Sequence, residues 1–384
     1  MVRSLTSRVL PVPAAAGVLA LAVGALALVP SLRPAGWDVT ALPRVATGTP
    51  LGTAAKQIDP GFHTVPAGGY DGQFYWAIAV DPLATGSVHR DADKPSYRYG
   101  HPLYGWLGWL FSAGQGSAAA AALLAVGLAS FAAAATAAAW LGLRRSGRGW
   151  ESLFVVANAG LLYSAAHDLA EPLCAALLLG GLAAYCSGRR TLALVCFAFL
   201  PLAKEPLAVV PLAVAVWEVW RNQARIRSVV PFVGVLLPSV AWWIYARIHL
   251  GAWFTSGDTA LSAPFSGWKR ALLDAGVFSY SDNPLQNRVG EETLIVLVAL
   301  LALLAVAGLC ALRLRGPVEL VFVPLAVLAL CLAPNATVIL RDALRNTALL
   351  VVLAPFVIAS PPLLPTSPAR RGARSSTAPP PSPT

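Results

Sequence analysis

The chain has 384 residues, of which 57% are hydrophobic and only 12% charged, and its mean hydropathy is +0.65. A soluble protein carries about a quarter charged residues, so this composition excludes an ordinary soluble enzyme and points to a polytopic membrane protein. The net charge of +10 does not indicate nucleic-acid binding, because the basic residues punctuate the apolar runs instead of gathering on one segment.

In chain order, Arg3 and Arg8 precede an apolar stretch that reads as a retained first helix, although a signal peptide has the same outline. Ten segments have the character of membrane helices: 10–30, 116–143, 151–166, 169–187, 191–204, 206–220, 229–249, 292–312, 317–334 and 343–361. Three of them (151–166, 191–204 and 206–220) are shorter than a full span, which is tolerated inside a bundle or beside a membrane-dipping cavity. The expected fold is therefore an all-α integral membrane domain over residues 1–361, followed by a disordered Pro/Ser/Arg-rich tail over 362–384.

Charge orients this arrangement. With both termini on the cytoplasmic side, the inner segments hold fifteen of the 28 Lys and Arg but only three of the 18 acids. That asymmetry follows the positive-inside rule and leaves most carboxylates on the outer face. Two outer loops are long, about 31–115 and 250–291. In the first, YDGQFYWAIAVDPL and HPLYGWLGWLF are too short to span and rich in aromatic residues, so interfacial amphipathic helices are expected there. The five cysteines lie within or at the ends of apolar segments, which implies no disulfide framework.

Four clusters could carry chemistry. Tyr70, Asp71, Gln73 and Tyr75 open the first interfacial segment, where Asp71 reads as an N-cap, a proton acceptor or both. Burial at the interface would raise its pKa and make it a better base. Asp81 reads as the end of the same helix. Arg98 and His101, set among tyrosines, suit either an interfacial anchor or a phosphate or sugar contact. His167, Asp168 and Glu171 form either a capped helical turn or a set of ligands for a divalent cation, and no spacing decides for a metal. Lys204 and Glu205 form an ion pair at a hairpin or present a cation to an anionic headgroup. Arg341 and Arg345, four apart with Asp342 between, point the same way on a helix and suit phosphate oxygens. No Walker loop, GxSxG elbow or HExxH helix is present.

YDGQFYWAIAVDP, YRYGHPL, DLAEPLCAALLLGGL and LAKEPLAVVPLAVAVW, in that order, resemble the GT-C superfamily of membrane glycosyltransferases, in particular bacterial members associated with cell-surface glycopolymer formation. The resemblance implies a multi-pass cell-membrane enzyme that uses a polyprenyl-phosphate sugar as donor. Its acceptor would be a glycan, lipid or protein on the outer face. It also implies that Asp71, the acid in the first outer loop, is the catalytic base or lies close to it. Gly100 and Lys204 depart from the pattern, in which a longer side chain and an arginine are common. A transporter or flippase of a lipid-linked saccharide is the alternative, since it would bind the same headgroup without chemistry.

Overall fold

The computed structural model describes residues 11–66, 68–221, 226–256, 260–280 and 283–359; the expected tail at 362–384 lies outside them. Among the described residues the chain is all-helical, with two isolated β-bridges and no strand. Four helical stretches are long and apolar enough to cross a membrane: Val12–Ala35, Gly116–Arg145, Arg227–Leu250 and Pro284–Ala311. Val18, Leu26, Ile248 and Leu309 stand exposed on them, as lipid-facing side chains would.

Helix α1 (Pro11–Leu32) packs along α4 (Ala119–Arg145). Two glycines of α1 permit the close approach: a Cβ on Gly17 would lie 2.6 Å from Thr136 Oγ1, and one on Gly24 would lie 3.0 Å from Leu128 Cδ2. The alanine-rich α4 also carries α5 (Glu171–Cys186), which in turn packs on α6 (Arg190–Ala203). The C-terminal half adds α7 (Val209–Arg221), α8 (Leu237–Leu250), α9 (Ser266–Ser279), α10 (Pro284–Ala311), α11 (Pro317–Leu330) and α12 (Leu340–Ile358). A buried ion pair between Arg145 and Glu319, 2.5 Å apart, ties α4 to α11.

Two expectations need correction. The segment 151–166 is not one helix but two short ones, Leu153–Val156 and Ala159–Ala165. The second starts where the Asn158 side chain accepts a hydrogen bond from the Leu161 N–H, 3.0 Å away. Helix α2 (Gly72–Val80) is not an amphipathic interfacial helix, because every residue from Gly72 to Ala79 is buried. Gln73, its only amide side chain, turns inward to accept a hydrogen bond from the Ala46 N–H. Helix α3 (Leu103–Phe111) does have two faces, burying Leu103 and Tyr104 while exposing Trp109, Leu110 and Phe111.

Asp81 ends α2 as expected, and its buried carboxylate then organises the next loop. It accepts from the Thr85, Gly86 and His89 N–H groups and pairs with His89 Nδ1 at 2.8 Å. Downstream, the indole N–H groups of Trp242 and Trp243 on α8 donate to the Tyr99 and Gly100 carbonyls, which fixes the segment that carries Arg98 and His101.

The start of α2 is as tightly set. A Cβ on Gly72 would lie 2.3 Å from the His167 carbonyl oxygen and 3.0 Å from that of Pro43, both backbone atoms that cannot turn aside. Gly72→Ala should therefore push α2 away from its neighbours and destabilise the protein by about 1–3 kcal/mol. Thermal unfolding of the detergent-solubilised variant checks this; an unchanged midpoint would contradict the packing.

Candidate functional site

Asp71 precedes α2 but does not cap it. Its backbone is already helical (φ −59°, ψ −24°) and its side chain makes no bond to the helix N–H groups. The carboxylate is spent elsewhere: Oδ1 accepts from Arg98 Nη1 at 3.1 Å and Oδ2 from Arg345 Nη2 at 2.8 Å. Arg98 is itself held by Asp93, at 2.8 and 3.2 Å, and lies 3.7 Å above the Phe74 ring. Arg345 reaches further: Nη1 donates to Tyr70 Oη at 3.0 Å, and Nε lies 3.2 Å from Glu171 Oε1.

Glu171, at the start of α5, also receives Lys204 Nζ at 2.8 Å. Lys204 and Glu205 thus do not pair with each other, and Glu205 instead meets His101 Nδ1 at 2.8 Å. Gly100 has a steric reason: a Cβ there would lie 2.2 Å from Glu205 Oε1, inside the His101–Glu205 pair.

These groups line one cavity of about 630 Å³. Four cations (Lys94, Arg98, Lys204 and Arg345) and four carboxylates (Asp71, Glu171, Glu205 and Asp342) face it, so its charge is balanced. The opposite character comes from α11 and α12, which contribute Leu325, Leu328, Leu349 and Leu350. Trp243 and Phe254, stacked with ring centroids 4.6 Å apart, supply an aromatic wall.

Of the residues singled out by sequence, Tyr70, Asp71, Tyr75, Arg98, His101, Glu171, Lys204, Glu205 and Arg345 meet here. Gln73, His167, Asp168 and Arg341 do not line this cavity. Arg341 shares a face with Arg345 to the extent that both guanidinium groups approach the Tyr70 ring, at 5.1 and 5.4 Å, but it stays half exposed. Asp168 takes a left-handed backbone (φ +51°), which breaks the helical turn expected to align it with Glu171. Its carboxyl is fully buried, and burial pushes its pKa well above the usual carboxylate range.

Among the described residues no group of three or more His, Cys, Asp and Glu is arranged to hold a metal ion. The His167–Asp168–Glu171 set does not converge: His167 Nδ1 bonds the Tyr163 carbonyl, while Glu171 is engaged by two cations. The sequence names Asp342 only as the residue between two arginines and gives it no role, yet it lines the cavity. Tyr70 donates a hydrogen bond to Asp342. The signal was available, since Asp342 stands three residues before Arg345 on one helix face.

Electrostatics reverses the expected pKa of Asp71. Burial would raise it, but Arg345 first and then Arg98, with Lys204 behind them, outweigh burial and hold it at about 2. A depressed carboxylate pKa stabilises the fold above the unfolded-state value near 4, and that stabilisation is lost as pH falls toward about 2. Asp71 pairing should accordingly contribute a constant stability from about pH 5 to 8, measurable as an unchanged difference in melting temperature between wild type and Asp71→Asn. Arg345→Ala should be more damaging, because it strips a cation from Glu171, whose side chain is 5% exposed. A loss of about 3 kcal/mol is expected, with partial recovery when Glu171→Gln is added. Calorimetry of the two variants checks the sign of that coupling.

Comparison of the chain with protein-family models, curated proteins and solved structures gives no match in any of the three, so the site's own chemistry has to carry its interpretation.

Proposed function

We propose that the chain is an integral-membrane glycosyltransferase of GT-C type, with about ten membrane segments, both termini cytoplasmic and its site on the outer face of the cell membrane. It would transfer a sugar from a polyprenyl-phosphate donor to a glycan, lipid or protein acceptor in cell-surface glycan assembly. The observation that supports this reading is the composition of the 630 Å³ cavity, where paired charges face a leucine wall. A polyprenyl-phosphate sugar has one part for each: a chain for the leucines, a phosphate for the cations and a sugar face for Trp243 and Phe254.

In the proposed reaction an acceptor hydroxyl oxygen attacks the anomeric carbon. The bond from that carbon to the phosphate oxygen breaks, and the electron pair leaves with polyprenyl phosphate. Arg98 and Arg345 neutralise the charge that develops on the phosphate. The acceptor proton passes to Asp71, and a single displacement inverts the anomeric centre.

Asp71 paired as it is would be a weak base, with both oxygens engaged and its pKa at about 2. Donor binding resolves this, because a phosphate that draws Arg98 and Arg345 toward itself releases the carboxylate and restores its basicity. The His101–Glu205 pair favours a second assignment of the base, since a carboxylate on Nδ1 orients an imidazole to take a proton at Nε2.

Proteoliposomes supplied with a labelled polyprenyl-phosphate sugar and a hydroxyl acceptor test both. Asp71→Asn should lower transfer by about 10²–10⁴-fold, while His101→Gln retains most of it. The reverse pattern moves the base to His101. Intact donor crossing the bilayer with no transfer in the wild type would replace the enzyme with a flippase.

A further inference from the structure

A second cavity of about 270 Å³ lies at the C-terminal end of α1, lined by Pro30, Ser31, Pro34, Arg44, His63 and His167 among others. No carboxylate lines it. Among the described residues the Arg44 guanidinium has no hydrogen-bond or ion-pair partner, whereas every cation aimed at Asp71 and Glu171 is neutralised there. Arg44 also holds a left-handed backbone (φ +55°), a conformation disfavoured for a residue with a Cβ. That conformation is imposed by the chain around it: the Arg44 carbonyl accepts from the Tyr70 N–H at 3.1 Å, and the Val45 carbonyl accepts from Val65 at 2.8 Å. The bond from Val65 keeps His63 near Arg44.

His167 is 9% exposed, and its Nδ1 is committed to the Tyr163 carbonyl at 2.8 Å. Nε2 is left as an acceptor, and burial lowers the pKa of the ring to about 4, so it stays neutral near pH 7. The cavity thus offers one unneutralised guanidinium and one buried acceptor. A hydrogen-phosphate group matches both, with P–O⁻ oxygens for the guanidinium fork and a P–OH to donate to Nε2.

We infer that this cavity is a second phosphate site, built for a phosphate monoester and distinct from the charged cavity. Tyr70 separates the two: it lines the charged cavity, and its ring lies 6.0 Å from that of His167, edge to face. The inference does not rest on glycosyl transfer. Two sources carry the same chemistry, a free phosphate monoester and the headgroup of a membrane lipid.

The chain has five histidines, which makes their ring resonances a site-resolved probe. Full-length protein with labelled histidine, in dodecyl maltoside micelles, is titrated with inorganic phosphate. In separate samples the micelles are doped with phosphatidic acid or, as the tail-only control, with diacylglycerol. The expected result is a saturable shift of His63 and His167 with phosphate or phosphatidic acid but not with diacylglycerol, while His89 and His249 stay fixed and report an intact fold. A response to inorganic phosphate identifies a free ligand, and a response to phosphatidic acid alone identifies a lipid. Arg44→Gln should weaken binding at His63 and His167 by about tenfold, and Arg44→Lys should restore part of it. His101 reports the charged cavity separately, so a response there alone leaves the charged cavity standing and overturns the second site. Silence of His63 and His167 toward both probes, or an undiminished response in Arg44→Gln, would also overturn it.

Discussion

The two-arginine grip on Asp71 is the interaction on which the arrangement of the site depends. Its three members come from the start of α2, the short helix Pro95–Arg98 before α3 and the body of α12, so one carboxylate joins segments more than two hundred residues apart in the chain. Arg345 extends the joint to Tyr70 and Glu171, and Glu171 extends it to Lys204. Removing any one charge leaves its partners short of a counter-charge at low dielectric, which is why such clusters are costly to break even where they add little net stability. The helices bring the charges together, and the charges in turn fix how α2, α5 and α12 meet.

Packing prepares that grip from outside the cavity. Gly72 allows the start of α2 to rest against the backbone of residues 43 and 167, and Gly100 leaves room for His101 to meet Glu205. Asp81 and His89 shape the loop leading to Arg98, and the two α8 tryptophans hold the residues just after it. Small residues and buried hydrogen bonds therefore set the register of the charged ones.

Much of this was legible in the sequence. Apolar run length identified the helical fold and its long spans, and Pro30, Arg144 and Arg145 lie near ends that the structure also gives them. Asp71, Arg98, His101, Glu171, Lys204, Glu205 and Arg345, singled out in separate stretches of the sequence, line one cavity in the structure. Pairing was not legible, because neighbours in sequence suggested Lys204 with Glu205 and one shared face for Asp168 and Glu171, while the structure pairs charges across helices. The raised pKa expected for Asp71 failed for the same reason: a count of local burial omits an arginine that arrives 274 residues later. The amphipathic reading of α2 failed because aromatic content alone does not distinguish an interface from a core, and only the polar residue's inward bond settles it.

Balanced charge in the larger cavity bears on how it would select a ligand. Unpaired cations in a site with one leucine wall would be expensive to keep, so Asp71 and Glu171 act as resident counter-ions to Arg98, Lys204 and Arg345. On the proposed reading, an incoming phosphate would exchange for a carboxylate instead of filling a vacancy, and only a group that satisfies the arginines at least as well could do so. A neutral lipid would have nothing to exchange and would leave Asp71 paired with its two arginines. In the proposed reaction, discrimination and activation are thus one event: the contact that recognises the donor phosphate is the contact that frees the base.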